Sequence, residues 1–290
     1  MYSTLKKSLL ILMVLPFFSF GQEDDLLNEL ESLSQNEDSF ELPAFKALQI
    51  GNLQSTKVID KGDLYMVVAH RFGYLKSGID EFYGLDQANT KIQLLYGLRE
   101  NLQVGLSRDS YEKTYSGTAK YRIMNQSDRI PINISLYGSV DIDSQLKKKV
   151  YPGLQPFDRF SYTGQLLLSR RFSEKLSLEV APIYVRHNLQ NLNYTKTLTY
   201  DQFLLGVGGR HKFSKRFSFN VDYAYNFSKD KNSLYKNPLT IGVDIETGGH
   251  VFQLLFTNSR ASNDSSFLTE TTGDWSKGEI SFGFNIVRVF

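Results

Sequence analysis

The chain has 290 residues, 33 Lys and Arg against 31 Asp and Glu, and no cysteine. That excludes a disulfide scaffold, a thiolate zinc site, an iron–sulfur cluster and a lipid-modified N-terminal cysteine. A formal charge of +2 gives no support for nucleic-acid binding, and a mean hydropathy of −0.30 excludes a bundle of membrane-spanning helices. It leaves open a membrane barrel, whose strands alternate polar and apolar residues and so average to a soluble-looking score. The 17 Tyr and 21 Phe, beside 7 Pro and 21 Gly, fit that case.

The chain opens as an export signal. Lys6 and Lys7 precede an apolar run from Leu9 to Phe20, broken only by Pro16 and Ser19, and Ser19-x-Gly21 is a cleavage site. The run is shorter than the roughly 20 residues a membrane helix needs. Residues 1–21 therefore read as a signal peptide, with Gln22 as the mature N-terminus.

Residues 22–42 hold eight acids and neither Lys nor Arg. Taking these eight from 31, and Lys6 and Lys7 from 33, leaves 23 acids against 31 bases in residues 43–290, a formal +8. The near-neutral total conceals an acidic leader on a basic body. Leu26, Leu27, Leu30 and Leu33 recur at helical spacing, but an isolated helix this short is marginal in water. The leader reads as a solvated tail; the sharper alternative is a plug, or a docking segment for a periplasmic partner. Residues 22–62 form this leader and a pre-barrel segment. Whether 45–62 adds a strand is left open.

From Leu64 onward the period is two. Phe217, Phe219, Val221, Tyr223, Tyr225 and Phe227 share one face of a strand, and Ser218, Asn220, Asp222, Ala224 and Asn226 the other. Segments of about ten residues, the length of a tilted membrane strand, recur over 64–72, 89–98, 102–111, 115–124, 131–140, 159–171, 176–186, 199–212, 217–227, 239–247, 250–257 and 279–290. Connectors after even strands are short. Those after odd strands are longer, except around Glu112–Thr114. Residues 63–290 thus read as an all-β, single-chain antiparallel transmembrane β-barrel of about 12 strands. Short periplasmic turns and longer extracellular loops complete the expectation; whether the lumen is open is left undecided. Asn101 and Gly248-Gly249 are residues that tolerate positive φ in turns. Tyr96, Tyr111, Tyr115, Tyr162, Tyr184, Tyr200, Phe213, Phe217, Tyr225 and Phe227 suit interfacial girdles. The long loops, rich in Asp, Asn, Ser, Lys and Tyr, read as exposed.

The last segment places Ile280, Phe282, Phe284 and Ile286 in the phase of the terminal Phe290. It resembles the terminal strand that the outer-membrane barrel assembly machinery recognises, which implies that machinery as a partner in biogenesis. Arg288 departs from the pattern by taking a lipid-facing position, where it can snorkel to headgroups. Lys61-Gly62 leading into Leu64–Ala69, His70-Arg71-Phe72-Gly73, Gly249-His250-Val251-Phe252-Gln253-Leu254 and Phe256-Thr257-Asn258-Ser259 resemble a family of outer-membrane β-barrels that carries only a domain-of-unknown-function label. The resemblance spans roughly Phe45 to Phe290. It implies a Gram-negative outer-membrane address, outer-membrane lipids around the barrel, and no activity.

The inward-facing polar positions are the candidate site: Lys91, Gln93, Lys120, Arg122, Glu179, Arg210, Lys212, Asp222, Asp244 and Glu246. Both charge signs occur, which suits either a narrow polar conduit or a salt-bridged interior. His70-Arg71 reads as a polar pair near the outer end of the first strand. His187, His211 and His250 form no metal-ligand spacing, so no metal or cofactor is expected. No serine sits in a nucleophile motif, so no enzyme is expected and an outer-membrane hydrolase is a minor alternative. The expectation is a passive channel for small solutes, or else a structural or docking barrel.

Overall fold

The structure is a computed structural model that describes residues 43–290 apart from 128, 189–199 and 248–249. The signal peptide, the acidic stretch 22–42 and the Gly248-Gly249 turn lie outside the described residues. Twelve strands follow in chain order: β1 (Leu64–Tyr74), β2 (Ala88–Arg99), β3 (Leu102–Asp109), β4 (Thr114–Met124), β5 (Asn133–Asp143), β6 (Phe160–Arg171), β7 (Leu176–His187), β8 (Asp201–Lys212), β9 (Phe217–Asn226), β10 (Leu239–Thr247), β11 (His250–Thr257) and β12 (Ser281–Val289). Each pairs antiparallel with its chain neighbours, and β1 closes on β12 from Tyr65↔Val289 to Tyr74↔Ser281. A twelve-stranded closed barrel has no free edge, which satisfies every strand without water.

The alternation sets the two faces. On β9, Phe217, Phe219, Val221 and Tyr225 are exposed outside, while Ser218, Asn220, Asp222, Ala224 and Asn226 are buried inside. Ile92, Leu94, Leu106, Leu136, Phe203, Leu254 and Phe256 extend the exposed apolar belt. No soluble protein would leave so much apolar surface bare. Connectors after β2, β6 and β8 span two to four residues, and those after β1, β5 and β11 more than twelve. The barrel thus has a turn end and a loop end, with β1 starting and β12 finishing at the turn end.

Three local expectations are corrected. Asn101 turns without positive φ; among non-glycine residues only Phe82, Tyr83, Glu112 and Lys113 adopt it in the described chain. Tyr111 is no girdle residue, because its ring packs against an interior cluster. The connector after β11 is not exposed. Ala261 to Thr269 are all buried, and Asp264–Thr269 form a short helix, α1. Its sequence explains the inward turn: Phe267 and Leu268 are apolar, and the Asn263 side chain caps the helix by accepting from Ser266 N at 3.0 Å.

Candidate functional site in the barrel lumen

The lumen is filled rather than open, the partly filled interior of the two alternatives that the inward charges allow. Residues 43–62, ahead of β1, enter at the turn end, double back inside and leave at the same end. Lys46 Nζ meets Glu246 at 2.9 Å on the way in. On the way out, Gly62 N donates to the Gly97 carbonyl at 2.8 Å. Between them lies a hairpin: Gln49 bridges Gln54, Ile50 N donates to Leu53 O at 2.9 Å, and Ser55 N donates to Leu48 O at 3.1 Å. Gly51 and Asn52 form its tip. A Cβ on Gly51 would stand 2.7 Å from Asp222 Oδ2, so only glycine lets the tip close on the wall.

The hairpin has few ladder bonds of its own, and its main chain takes partners from the wall instead. Asp222 accepts from Asn52 N at 2.8 Å and Leu53 N at 3.3 Å. Glu179 accepts from Thr56 N at 3.0 Å, and Gln103 from Ile59 N at 2.9 Å. Lys120 Nζ donates to the carbonyls of Ser55 (2.8 Å), Leu48 (3.2 Å) and Lys57 (3.3 Å). Gln253 donates to Gln49 O and Ile50 O, and also to Asp244 Oδ1 at 2.8 Å.

Of the residues expected at the lumen, Lys91, Gln93, Lys120, Glu179, Arg210, Asp222, Asp244 and Glu246 are buried inside. Lys91 reaches the inward connector, donating to Ser262 O at 3.0 Å. Arg210 pairs with Glu246 at 2.5 Å and donates to Ser218 at 2.9 Å. Arg122 and Lys212 are half-buried toward the turn end, where Arg122 bonds the Glu100 carbonyl. On β12, Phe282, Phe284 and Ile286 face outward, Ile280 precedes the strand, and Phe290 is exposed. Arg288 faces outward, its guanidinium 4.9 Å from the Phe290 ring centre.

His70-Arg71 does not act as a pair. His70 faces outward and stacks on Phe284 at 5.1 Å, while Arg71 is 1% exposed inside. Its guanidinium grips Asn52 Oδ1 at 2.6 Å and Asn285 Oδ1 at 2.9 Å. Successive strand residues point to opposite faces, so the phase of β1 separates them.

The wall residues Asp109, Tyr137 and Asp141 were missed, for the same reason the inward connector was. Asp109 Oδ2 accepts from Ser262 N (3.0 Å) and Asn263 N (2.9 Å), and Asp141 from Ser265 N (3.2 Å). Tyr137 donates to Asp264 at 2.8 Å, and Gln54 of the hairpin donates to the same carboxylate at 3.2 Å. The two fillers therefore meet. Leu53, Phe267 and Leu268 pack with Leu167, Ile183, Val185 and Leu204 in one apolar cluster. Beside Gln93 and Gln103 a cavity of about 10 Å³ remains, room for one water.

Structural comparison finds porins and other outer-membrane proteins. The NanC porin aligns over 78% of this chain and 98% of its own, with 8% identity and a TM-score of 0.49. The KdgM porin aligns over 78% and 99%, at 10% identity and TM-score 0.48. The outer membrane phospholipase A from Escherichia coli aligns over 78% and 90%, at 13% identity and TM-score 0.41. No curated protein matches the chain. Residues 45–290 match the family described as membrane bound beta barrel domain (DUF5777), and the chain belongs to that family.

Proposed function

We propose that this membrane barrel lies in the outer membrane as a gated conduit for small polar solutes, shut in the present state by the hairpin of residues 43–62 at the turn end and by the connector after β11 at the loop end. One observation carries the reading: the wall is more polar than its filling requires. Ser107 Oγ, Thr163 Oγ1, Gln165 Oε1 and Gln202 Nε2 are buried inside without a hydrogen-bond partner. A permanently packed core would gain by replacing such groups with apolar ones, whereas a surface that meets water needs them. Withdrawal is also topologically simple, since the hairpin enters and leaves at one end and no strand must open. The outer-membrane address follows from the membrane-bound family, the even strand number and the segregation of turns from loops.

Planar-bilayer recording tests the reading. The refolded mature chain should show long closed periods. A variant lacking both residues 43–60 and residues 261–270 should show stable conductance steps. A deletion variant that keeps the heat-modifiable gel mobility of a folded barrel but never conducts would remove the conduit.

A further inference from the structure

At the loop end a second cavity, about 300 Å³, lies above the fillers. Leu146, Val150 and Tyr151 line it together with Ser161, His187, Arg159 and the carboxylates of Glu112, Asp141, Asp143, Asp158 and Glu270. Ser161 on β6 and His187 on β7 are register partners. Ser161 Oγ lies 2.9 Å from His187 Nδ1, and His187 Nε2 lies 2.8 Å from Thr269 Oγ1 on α1. The proton positions follow from the far end of this chain. The Thr269 hydroxyl donates to the Ser265 carbonyl at 2.7 Å, and a carbonyl can only accept. Thr269 Oγ1 must then accept from His187 Nε2–H. That leaves Nδ1 as the unprotonated nitrogen, and the Ser161 hydroxyl donates to it. A hydroxyl bonded to a base whose other nitrogen is held by a third group is the arrangement of an activated nucleophile.

We propose that Ser161 and His187 form a nucleophile–base pair that hydrolyses small carboxylic esters at the barrel mouth. Ser161 Oγ bonds to the acyl carbon while its proton passes to His187 Nδ1. The ester C–O bond then breaks, and His187 returns the proton to the departing alcohol. Water, deprotonated by the same nitrogen, releases the acid and restores the serine. Arg159, which precedes Ser161 by two residues and lines the same cavity, supplies a positive charge for the oxygen that gains charge at the acyl carbon. Leu146, Val150 and Tyr151 suit a short acyl group, and the volume excludes a long lipid chain. Thr269 is a positioning residue that holds the imidazole tautomer.

This site stands apart from the conduit, because it needs neither withdrawal of the hairpin nor conductance. The refolded mature chain is treated with a fluorophosphonate probe and the adduct mapped by mass spectrometry, with heat-modifiable mobility checking the fold of every variant. The probe should modify Ser161. Ser161→Ala should lose the adduct, and His187→Asn should slow labelling about 100-fold. Thr269→Val should slow it about 10-fold, with Thr269→Ser restoring the rate; rescue by the hydroxyl distinguishes positioning from packing. A folded wild type without an adduct on Ser161 overturns the proposal. So does wild-type labelling in His187→Asn, or a Thr269→Val variant that loses thermal stability yet labels at full rate, which would make the chain a tether for α1.

Discussion

The two ends of the lumen are closed by different means. At the turn end the hairpin 43–62 is held through its main chain by wall side chains of both signs: Asp222, Glu179 and Lys120 each bond backbone groups of the hairpin. At the loop end the connector after β11 is anchored by its own side chains as well. Phe267 and Leu268 fill an apolar cluster, and Asp264 takes hydrogen bonds from wall and hairpin alike. The connector is tied at both ends into β11 and β12, whereas beyond the hairpin tip one arm joins β1 and the other runs back toward the N-terminus. Both fillers bury apolar side chains against the wall, Leu48, Leu53 and Ile59 from the hairpin and Phe267 and Leu268 from the connector, but the loop-end filler is continuous with the wall at both ends and the turn-end filler at one.

The sharpest way to break this contrast is to weaken both fillers. Phe267 is 2% exposed. Phe267→Ala should cost about 3–5 kcal/mol of barrel stability, the range for truncating a buried aromatic, read from the midpoint of denaturant unfolding. Asp222→Ala should cost less, roughly 2–4 kcal/mol, from leaving the N–H groups of Asn52 and Leu53 unpaired. Its signature should be local. Trypsin should cut after Lys57 while the barrel keeps its folded mobility. Equal global destabilisation by both variants, with Lys57 still protected, would mean that the fillers form one core and the contrast is wrong.

A smaller perturbation reaches the hairpin where it leaves the barrel. A Cβ on Gly97 would sit 1.9 Å from the Asp60 carbonyl oxygen. Gly97→Ala must push the exit strand away from β2, at a cost of about 1–3 kcal/mol. Hydrogen exchange should rise at Gly62, which donates to the Gly97 carbonyl, while amides of α1 keep their protection. Faster exchange at both places would link the two fillers more tightly than their separate anchors suggest.

The barrel was legible because its physics is periodic. A strand with lipid on one face and a polar interior on the other must alternate, and the twelve segments, the turn–loop asymmetry and the outward Phe282, Phe284 and Ile286 all follow from that single constraint. The fillers obey no such period. The stretch Ala44-Phe45-Lys46-Ala47-Leu48 and the run Ser262-Asn263-Asp264-Ser265-Ser266 read as linker and as exposed loop, because their partners lie far along the chain. One signal was present: Leu167, Ile183, Val185 and Leu204 occupy inward positions where a water-filled lumen would place polar residues, and all are buried against the fillers. Ser161 and His187 carry no joint sequence signature for the same reason. They are 26 residues apart, and only the β6–β7 register brings them together.

A pH-dependent effect belongs to the loop end, in a residue outside the membrane strands. Burial, and then the nearby carboxylates of Glu270, Asp143 and Asp109, push Glu112 up to about 9, with a Ser266 hydrogen bond acting the other way. Its ordinary value is 4.5. The folded chain therefore keeps a proton on Glu112 across a window in which the unfolded chain has lost it. Folded-state proton binding in excess makes stability fall as pH rises from about 4.5 toward 9. Glu112→Gln is neutral throughout and removes that slope. The variant should match the wild type near pH 4.5 and melt at a higher temperature than the wild type near pH 9. Thermal unfolding at the two pH values measures it. Parallel pH profiles for variant and wild type would show that Glu112 ionises freely, and that the loop-end cavity is wetter than its enclosure by Tyr151, Ser266 and Glu270 implies.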